Sequence, residues 1–239
     1  MSEEGAALID PVRGMEQGAR EVLAKLQGNL LQDEGPVRLG LTEGFGNYFV
    51  TPLLPAFSEK HPIMTLDLMP MPRFIKFARN EADIAITIEK PRLSSMIVYK
   101  LYDYHLRLYA SRHYVETHGM PKTVQEAELH YCVGYVDDLI FSDQLTYPDE
   151  VLPNAKPHLR STSIISQYKA LQQNIGIGIL PCFMADSNPE IVRLLEDEIS
   201  IKRSFWIVIH PDQKHVPRNK IVWDYLKEIS AKNKHVLLG

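Results

Sequence analysis

The stretch from Gly35 to Gly46 constrains the fold more than any other part of the sequence. Its first half alternates apolar with polar or small residues, which predicts a short strand, with apolar positions at Val37, Leu39 and Leu41. Apolar residues then recur at helical spacing, at Phe45, Phe49, Val50, Leu53, Leu54 and Phe57. The turn between them is either an ordinary strand–helix turn capped by Thr42 or the wall of a small-molecule pocket, because ligands bind at strand carboxyl ends in open α/β sheets.

The alternation of strand and helix patterns continues to Ile88. Residues 62–69 alternate as a second strand, and Pro72 occupies a favoured first-turn position of a short helix. The run from Asp83 to Ile88 is nearly all apolar, which is typical of a strand buried on both faces of a parallel sheet. This β-α-β-α-β order predicts a doubly wound α/β fold.

A second α/β unit follows the first. We predict strands over 97–101, 105–110, 131–136, 176–181 and 199–210, and helices over 112–119, 163–171 and 216–232. Gly119 is a plausible C-terminal stop for its helix, and a Ser or Thr is available to cap the helix that starts at Ser163. If two strands link the two units, the space between the units is a hinged cleft.

The N-terminal residues form a separate pattern. Apolar residues recur at three- and four-residue spacing over residues 3–31, which predicts a long helix that Pro11 kinks or restarts. An apolar stripe of this kind needs a partner. Because the helix ends in a loop outside the following domain, we expect it to pair with a second copy of itself. Folding back onto its own domain is the alternative.

Composition excludes several classes of protein. The 239 residues carry a net charge of −4 with no dense basic run, which argues against nucleic acid binding by these residues themselves. Cys132 and Cys182 lie in apolar stretches, as buried free thiols of a reducing cytosol do. The acidic N-terminus is unlike a signal peptide, and no run of about 18 apolar residues predicts a membrane span.

Patterns that carry catalytic, metal or cofactor chemistry are not found. The nine histidines are scattered without metal-ligand spacing. The segment from Gly176 to Gly178 lacks the third glycine of a dinucleotide loop and indicates a helix stop that leads into a strand. The serine and threonine cluster at 161–166 has no base partner nearby, so it indicates hydrogen-bond donors at a helix start. We therefore predict no enzyme, no cofactor and no metal.

Seven segments together resemble the C-terminal portion of LysR-type transcriptional regulators, from the linker helix onward. Each segment is weak alone, but their order and spacing across nearly the whole chain are specific. The segments are residues 3–8, 35–40, 54–62, 81–86, 106–111, 176–181 and 205–210.

The resemblance implies a type II periplasmic-binding-protein-like fold, in which two Rossmann-like lobes are joined by two crossover strands and preceded by a long N-terminal helix. The implied division is a linker and dimerisation helix over 1–34, a first regulatory lobe over 36–105 plus 210–239, and a second over 106–209. It also implies a cytoplasmic transcription regulator that is a homodimer or homotetramer and does not contact a membrane. Its co-inducer, or another small-molecule effector, binds in the cleft.

By position, the resemblance assigns effector contacts to the turns and helix starts that face the cleft. The implied residues are Thr42, Glu43, Gly44, Met71, Pro72, Ser161, Thr162, Ser163 and Ile209. Neighbouring positions are weaker assignments, namely Phe45, Thr87, Tyr104 and Tyr135.

Two departures from the family pattern matter. The N-terminal winged helix-turn-helix is missing, so DNA binding is implied only for a parent protein that carries that domain. The segment from Met69 to Pro72 holds two methionines and two prolines where many relatives place small hydroxyl residues. That change makes this wall of the cleft apolar and removes backbone donors.

The charge of the effector stays open at this point. Helix N-termini near Gly44, Pro72 and Ser163 favour an anionic group such as a carboxylate. An inward-facing Glu43 would instead favour a cationic or amine-bearing ligand, and we prefer the anion only slightly. A periplasmic-type solute-binding protein of the same fold is the alternative function.

Overall fold

A computed structural model describes residues 35–70, 82–91 and 95–239, together with Val12, Met15, Gly18 and Ala19. The predicted N-terminal helix lies outside the described residues except for those four, which are helical. Val12 and Met15 belong to the predicted apolar stripe, and they are 58% and 75% exposed.

The described residues form a sheet of nine strands, in the order β2-β1-β3-β9-β4-β7-β5-β6 with β8 on β4. Their bounds are β1 Gly35–Leu41, β2 Met64–Pro70, β3 Ile84–Thr87, β4 Ile97–Ser111, β5 Cys132–Gly134, β6 Pro157–Arg160, β7 Ile177–Pro181, β8 Ile191–Leu194 and β9 Ile201–Ile209. Strand β1 runs parallel to β2 and β3, and β5 runs parallel to β6 and β7.

Helices cover the sheet and supply most of the remaining core. Helix α1 is continuous over Glu43–Phe45, a π-helical turn Gly46–Val50 and Thr51–Lys60. The others are α2 Arg112–His118, α3 Val124–Ala127, α4 Tyr147–Val151, α5 Ile164–Gln172, α6 Cys182–Ala185, α7 Pro211–Lys214, α8 Pro217–Lys232 and α9 Lys234–Leu238. Short 3-10 turns cover Asp137–Leu139 and Asp143–Leu145.

The alternation predicted for β1 is confirmed by its burial. Val37 and Leu39 are fully buried and Leu41 is 2% exposed, whereas Arg38 is exposed. Phe45, at the start of α1, is buried with them in one continuous apolar core. Burial of large apolar side chains, worth roughly 1.5–3 kcal/mol each, fixes the face that β1 presents to the core.

Strands β4 and β9 join the two groups of parallel strands. They pair antiparallel from Ile97 opposite Ile209 to Leu106 opposite Ile201, with a register shift between Lys100 and Tyr102. Strand β3 pairs with one end of β9, and β7 pairs with the other end of β4. The predicted two-lobed fold with two crossover strands is thereby confirmed.

Two local predictions need correction. The separate strands predicted at 97–101 and 105–110 are one strand, because the residues between them stay paired with β9. Helix α5 ends at Gln172 and the chain turns at Asn174, which takes the left-handed conformation with a φ of 62°, so the helix stop lies before Gly176. The predicted stop at Gly119 is confirmed, with a φ of 86°.

The C-terminal segment packs on the first group of parallel strands and on the crossover strand β4. Helix α8 packs on β1 and β4, and α9 packs on β4 and α6. Leu237 of α9 is fully buried. The predicted residue boundaries of the lobes, including the assignment of 210–239 to the first lobe, stay a prediction.

A charged cluster ties the two crossover strands together at the register shift. Asp103 on β4 accepts from Lys100 Nζ at 2.6 Å, from Lys202 Nζ at 2.8 Å and from Ser204 Oγ at 2.6 Å. Burial by itself would raise the pKa of Asp103, but these donors lower it below its ordinary value. The carboxylate therefore stabilises the fold where the strands cross between the lobes.

We expect Asp103→Asn to lower the free energy of unfolding by about 1–2 kcal/mol at pH 7, because the charge that two lysines share is lost. A lowered folded-state pKa stabilises the fold above the unfolded-state pKa of about 3.9, and this contribution fades as the pH falls through the folded value. The variant should therefore lose less stability than the parent on acidification.

Urea unfolding at pH 7 and pH 3 measures both effects, with exposed Asp138→Asn as the control. Equal stability of Asp103→Asn and the parent would contradict the expectation.

Candidate functional site

A cavity of about 310 Å³ lies between the two groups of parallel strands. Its walls come from the turn after β1, from the start of α5 and from the crossover strands β4 and β9. The carboxyl ends of β1 and its parallel neighbours face this space, which is the position that ligands occupy in open α/β sheets.

The turn after β1 brings Thr42, Glu43 and Gly44 to the cavity wall. Thr42 precedes α1 in extended conformation, but its side chain makes no capping hydrogen bond. A Cβ atom at Gly44 would lie 2.8 Å from Sδ of Met184 and 3.1 Å from Cγ2 of Ile164. The first turn of α1 therefore approaches α5 and α6 as closely as a glycine permits.

Helix α5 presents its N-terminal residues from the opposite wall. Ser163 caps this helix as predicted, because its Oγ accepts from the Ser166 amide at 3.2 Å. The same hydroxyl donates to Oε2 of Glu43 at 2.8 Å. Ser161 supports the turn by accepting from the Ser163 amide at 3.1 Å. A hydrogen bond thus joins residues 120 positions apart across the cavity.

A second contact of the same chemistry lies between the loop after β3 and the segment before α4. Ser142 Oγ donates to Oε2 of Glu89 at 3.0 Å. In both pairs the carboxylate belongs to the predicted first lobe and the serine to the predicted second. Each hydrogen bond to a charged group contributes roughly 1.5–3 kcal/mol when buried, and less where water reaches it.

Aromatic side chains form a substantial part of the cavity wall. They come from seven positions spread over much of the described chain, namely Phe45, Tyr104, Tyr135, Phe141, Tyr147, Phe183 and Phe205. Phe205 lies in their midst, with ring centroids 4.1 Å from Phe45 and 4.2 Å from Tyr104. Such a wall binds apolar or aromatic groups through large contact areas.

The tyrosine hydroxyls keep their protons at neutral pH. Burial, above all, and the Glu43 carboxylate nearby together raise the pKa of Tyr135 to about 12. Burial and the neighbouring Tyr135 also hold the pKa of Tyr147 far above its ordinary value. The Tyr147 hydroxyl donates to that of Tyr135 at 3.5 Å. These phenols therefore offer neutral hydrogen-bonding groups to a ligand.

Among the described residues that line the cavity, Glu43 is the one charged side chain. Glu43 faces the cleft, as its bond to Ser163 shows. The slight preference for an anionic effector rested on helix N-termini and on Glu43 pointing away. That preference is not supported, because an inward carboxylate opposes a second negative charge.

Most of the predicted site residues lie at or beside the cavity. Thr42, Glu43, Gly44, Thr162 and Ser163 line the cavity, and Ser161 supports the turn beside it.

Ile209 does not line the cavity. It is fully buried in the sheet, where it pairs with Ile84 and Ile97. Met71 and Pro72 lie outside the described residues. Of the weaker assignments, Phe45, Tyr104 and Tyr135 line the cavity. The hydroxyl of Thr87, the fourth, donates to the Glu89 carbonyl.

Sequence reasoning missed Phe141, Tyr147, Phe183 and Phe205, whose positions show no local pattern beyond apolar character. Both cysteines are buried free thiols, as predicted. Within the described residues, histidine, cysteine and acidic side chains form no group of three that could hold a metal ion. The helices of this part of the chain include none long and apolar enough to cross a membrane.

A two-lobed α/β domain whose cavity is lined from both lobes and from the crossover strands defines the class of periplasmic-binding-protein-like ligand-binding domains. The chain matches the LysR substrate binding domain over residues 31–231, which is most of its length. It therefore belongs to the LysR family of effector-binding domains, and the resemblance drawn from its sequence is confirmed.

Similar proteins are transcriptional regulators. The chain is 24% identical over 238 residues to the probable HTH-type transcriptional regulator LtrA of Klebsiella pneumoniae, covering 95% of the chain and 76% of that protein. It is 24% identical over 191 residues to the HTH-type transcriptional regulator CrgA of Neisseria meningitidis serogroup C, covering 78% and 64%. The alternative of a periplasmic solute-binding protein is not favoured by these relatives.

Solved structures share the fold. The regulatory domain of CrgA from Neisseria meningitidis superposes with a TM-score of 0.72 at 22% identity, over 82% of this chain and 98% of that one. The effector domain of AmpR from Pseudomonas aeruginosa gives a TM-score of 0.68 at 16% identity, over 84% and 98%. At this identity the likeness supports the fold alone.

Proposed function

We propose that the aromatic cavity between the lobes is where the small-molecule effector binds, with Thr42, Glu43, Gly44, Thr162 and Ser163 among its contacts. The observation that carries this proposal is the lining itself, which draws on both groups of parallel strands and on both crossover strands. A ligand held there touches both lobes, so its binding energy depends on how the lobes are arranged.

The effector acts in this proposal by shifting a population of lobe arrangements. A ligand changes such an equilibrium only by the difference in its affinity for the two states. The Glu43–Ser163 and Glu89–Ser142 hydrogen bonds, at 2.8 Å and 3.0 Å, favour the arrangement described here. An effector that strengthens or replaces either contact changes the balance between arrangements.

We further propose that the parent regulator is a cytoplasmic homodimer or homotetramer that binds DNA through a domain outside this chain. The names of the relatives support DNA binding by the parent, because both are HTH-type regulators. The exposure of Val12 and Met15 supports pairing of the N-terminal helix with a second copy, since exposed apolar stripes on helices are partner surfaces. The domain senses its ligand in this proposal and does not transform it.

A thermal-shift screen over metabolites tests the effector site. A ligand at about 100 times its dissociation constant stabilises the folded state by roughly 2.7 kcal/mol, or about 5–10 °C for a chain of this size. We expect Thr42→Val to weaken the affinity for the ligand about tenfold. The Thr42 hydroxyl, which makes no capping hydrogen bond, is lost from the cavity wall, while the shape of the side chain is kept.

The matched control is Thr51→Val, an exposed threonine on the same helix α1. This variant should bind the hit with unchanged affinity in isothermal titration calorimetry. The site assignment fails if Thr42→Val and Thr51→Val bind equally well.

A further inference from the structure

We infer that the cavity recognises an organic cation: an apolar or aromatic frame that carries a protonated amine, with the amine bound to Glu43. The inference rests on the proposed effector site and names the chemical class of its ligand. The observation that supports this inference is that a single carboxylate, that of Glu43, lies at the edge of a wall of aromatic rings.

The aromatic wall itself favours positive charge. The face of an aromatic ring carries negative potential, and a cation placed within about 6 Å of it is attracted. The ring centroid of Phe205 lies 4.1 Å from that of Phe45 and 4.2 Å from that of Tyr104, and all three rings line the cavity. A cavity built from such rings binds amines and quaternary ammonium groups as well as neutral rings.

The charged groups around the cavity also favour a cationic ligand. Glu43 is the one charged side chain among the described lining residues. Arg203 lies on β9 beside Phe205, but its guanidinium donates to Glu150 at 2.6 Å and to the Gln144 carbonyl at 3.4 Å. This arginine is therefore occupied by a carboxylate of its own, and a ligand carboxylate in the cavity would meet Glu43 without a compensating cation.

The partner of Glu43 is one that an amine can replace. Ser163 gives the carboxylate one hydrogen bond from an uncharged hydroxyl at 2.8 Å, while its own amide and capping contacts do not depend on Glu43. An ammonium group brings a full positive charge as well as a hydrogen-bond donor, so it attracts the carboxylate more strongly than the hydroxyl does. Binding of the cation would thus loosen or rearrange a contact between the lobes, which couples recognition to lobe arrangement.

Three probes with one phenyl frame test the charge preference: 2-phenylethylammonium, 2-phenylethanol and 3-phenylpropanoate. We expect isothermal titration calorimetry of the full chain at pH 7 to give the order cation, alcohol, anion, with at least a tenfold gap between cation and anion. Glu43→Gln should reduce affinity for the cation at least tenfold and change affinity for the alcohol less than twofold. Exposed Glu116→Gln is the matched control and should leave all three unchanged.

Equal or tighter binding of the anion, or an unchanged cation affinity in Glu43→Gln, would overturn the inference. Failure of all three probes to bind also overturns it. The metabolite screen then separates the two proposals: a hit that Thr42→Val weakens keeps the effector site with a different ligand class. If every hit is insensitive to that variant, the effector site itself is wrong.

Discussion

Gly176→Ala is expected to lower the free energy of unfolding by about 3 kcal/mol or more, and to lower the melting temperature by roughly 6–12 °C. A Cβ atom at this position would lie 1.9 Å from the backbone oxygen of Tyr131 and 2.7 Å from its carbonyl carbon. Backbone atoms cannot rotate away as a flexible side chain can. The clash must therefore separate the start of β7 from β5, where the Ile177 amide donates to the same Tyr131 oxygen at 2.7 Å.

Gly134→Ala is the matched control for this prediction. Gly176 directly precedes β7, and Gly134 lies on the neighbouring strand β5, but a Cβ at Gly134 would meet only Cγ of Pro157 at 3.7 Å, an ordinary contact. Urea unfolding of both variants separates the general cost of replacing a glycine in this region from the specific clash. A loss below about 1 kcal/mol in Gly176→Ala would show that β5 and β7 move apart easily.

Gly44→Leu is expected to reduce effector affinity on the order of a hundredfold, equivalent to about 2–3 kcal/mol. The added side chain would occupy the contact between the first turn of α1 and the residues Met184 and Ile164, where a single Cβ already approaches to 2.8 Å and 3.1 Å. The leucine side chain therefore holds the two walls of the cavity apart. Calorimetry with a screened ligand measures the loss.

Gly44→Ala gives the graded comparison, because Met184 is flexible and can move from a single methyl group. We expect Ala to weaken binding less than Leu, while urea unfolding verifies that both variants stay folded. Undiminished binding by Gly44→Leu would mean that the ligand does not depend on the approach of α1 to α5 and α6.

Local patterns were enough for most elements of the fold. The alternation of Val37, Leu39 and Leu41 reports burial of one strand face, and helical spacing does the same for α1, because side-chain periodicity follows directly from backbone geometry. Capping by Ser163 and the stop at Gly119 follow from equally local chemistry. The order and spacing of family-like segments then sufficed to predict the two-lobed architecture.

Elements that depend on distant partners were harder to predict. Strand β4 continues past Lys100 because β9 pairs along its length. The residues of β4 do not by themselves indicate which strand pairs with them. Gly176 follows a helix and resembles a stop, yet its crowding comes from the Tyr131 carbonyl, which lies directly before β5. Ile209 was assigned to the cleft from position alone, although both of its sheet neighbours keep it in the core.

The candidate site shows the same division. The roles of the polar residues at the turns after β1 and before α5 could be predicted from the sequence, because polar groups at strand ends and helix starts have local causes. The direction of the Glu43 side chain could not be predicted, since it depends on Ser163, which lies 120 positions later in the chain and 2.8 Å away in the structure. Aromatic rings from separate segments meet around Phe205 for the same reason: periodicity identifies a buried face, whereas packing between lobes determines which buried faces share a cavity.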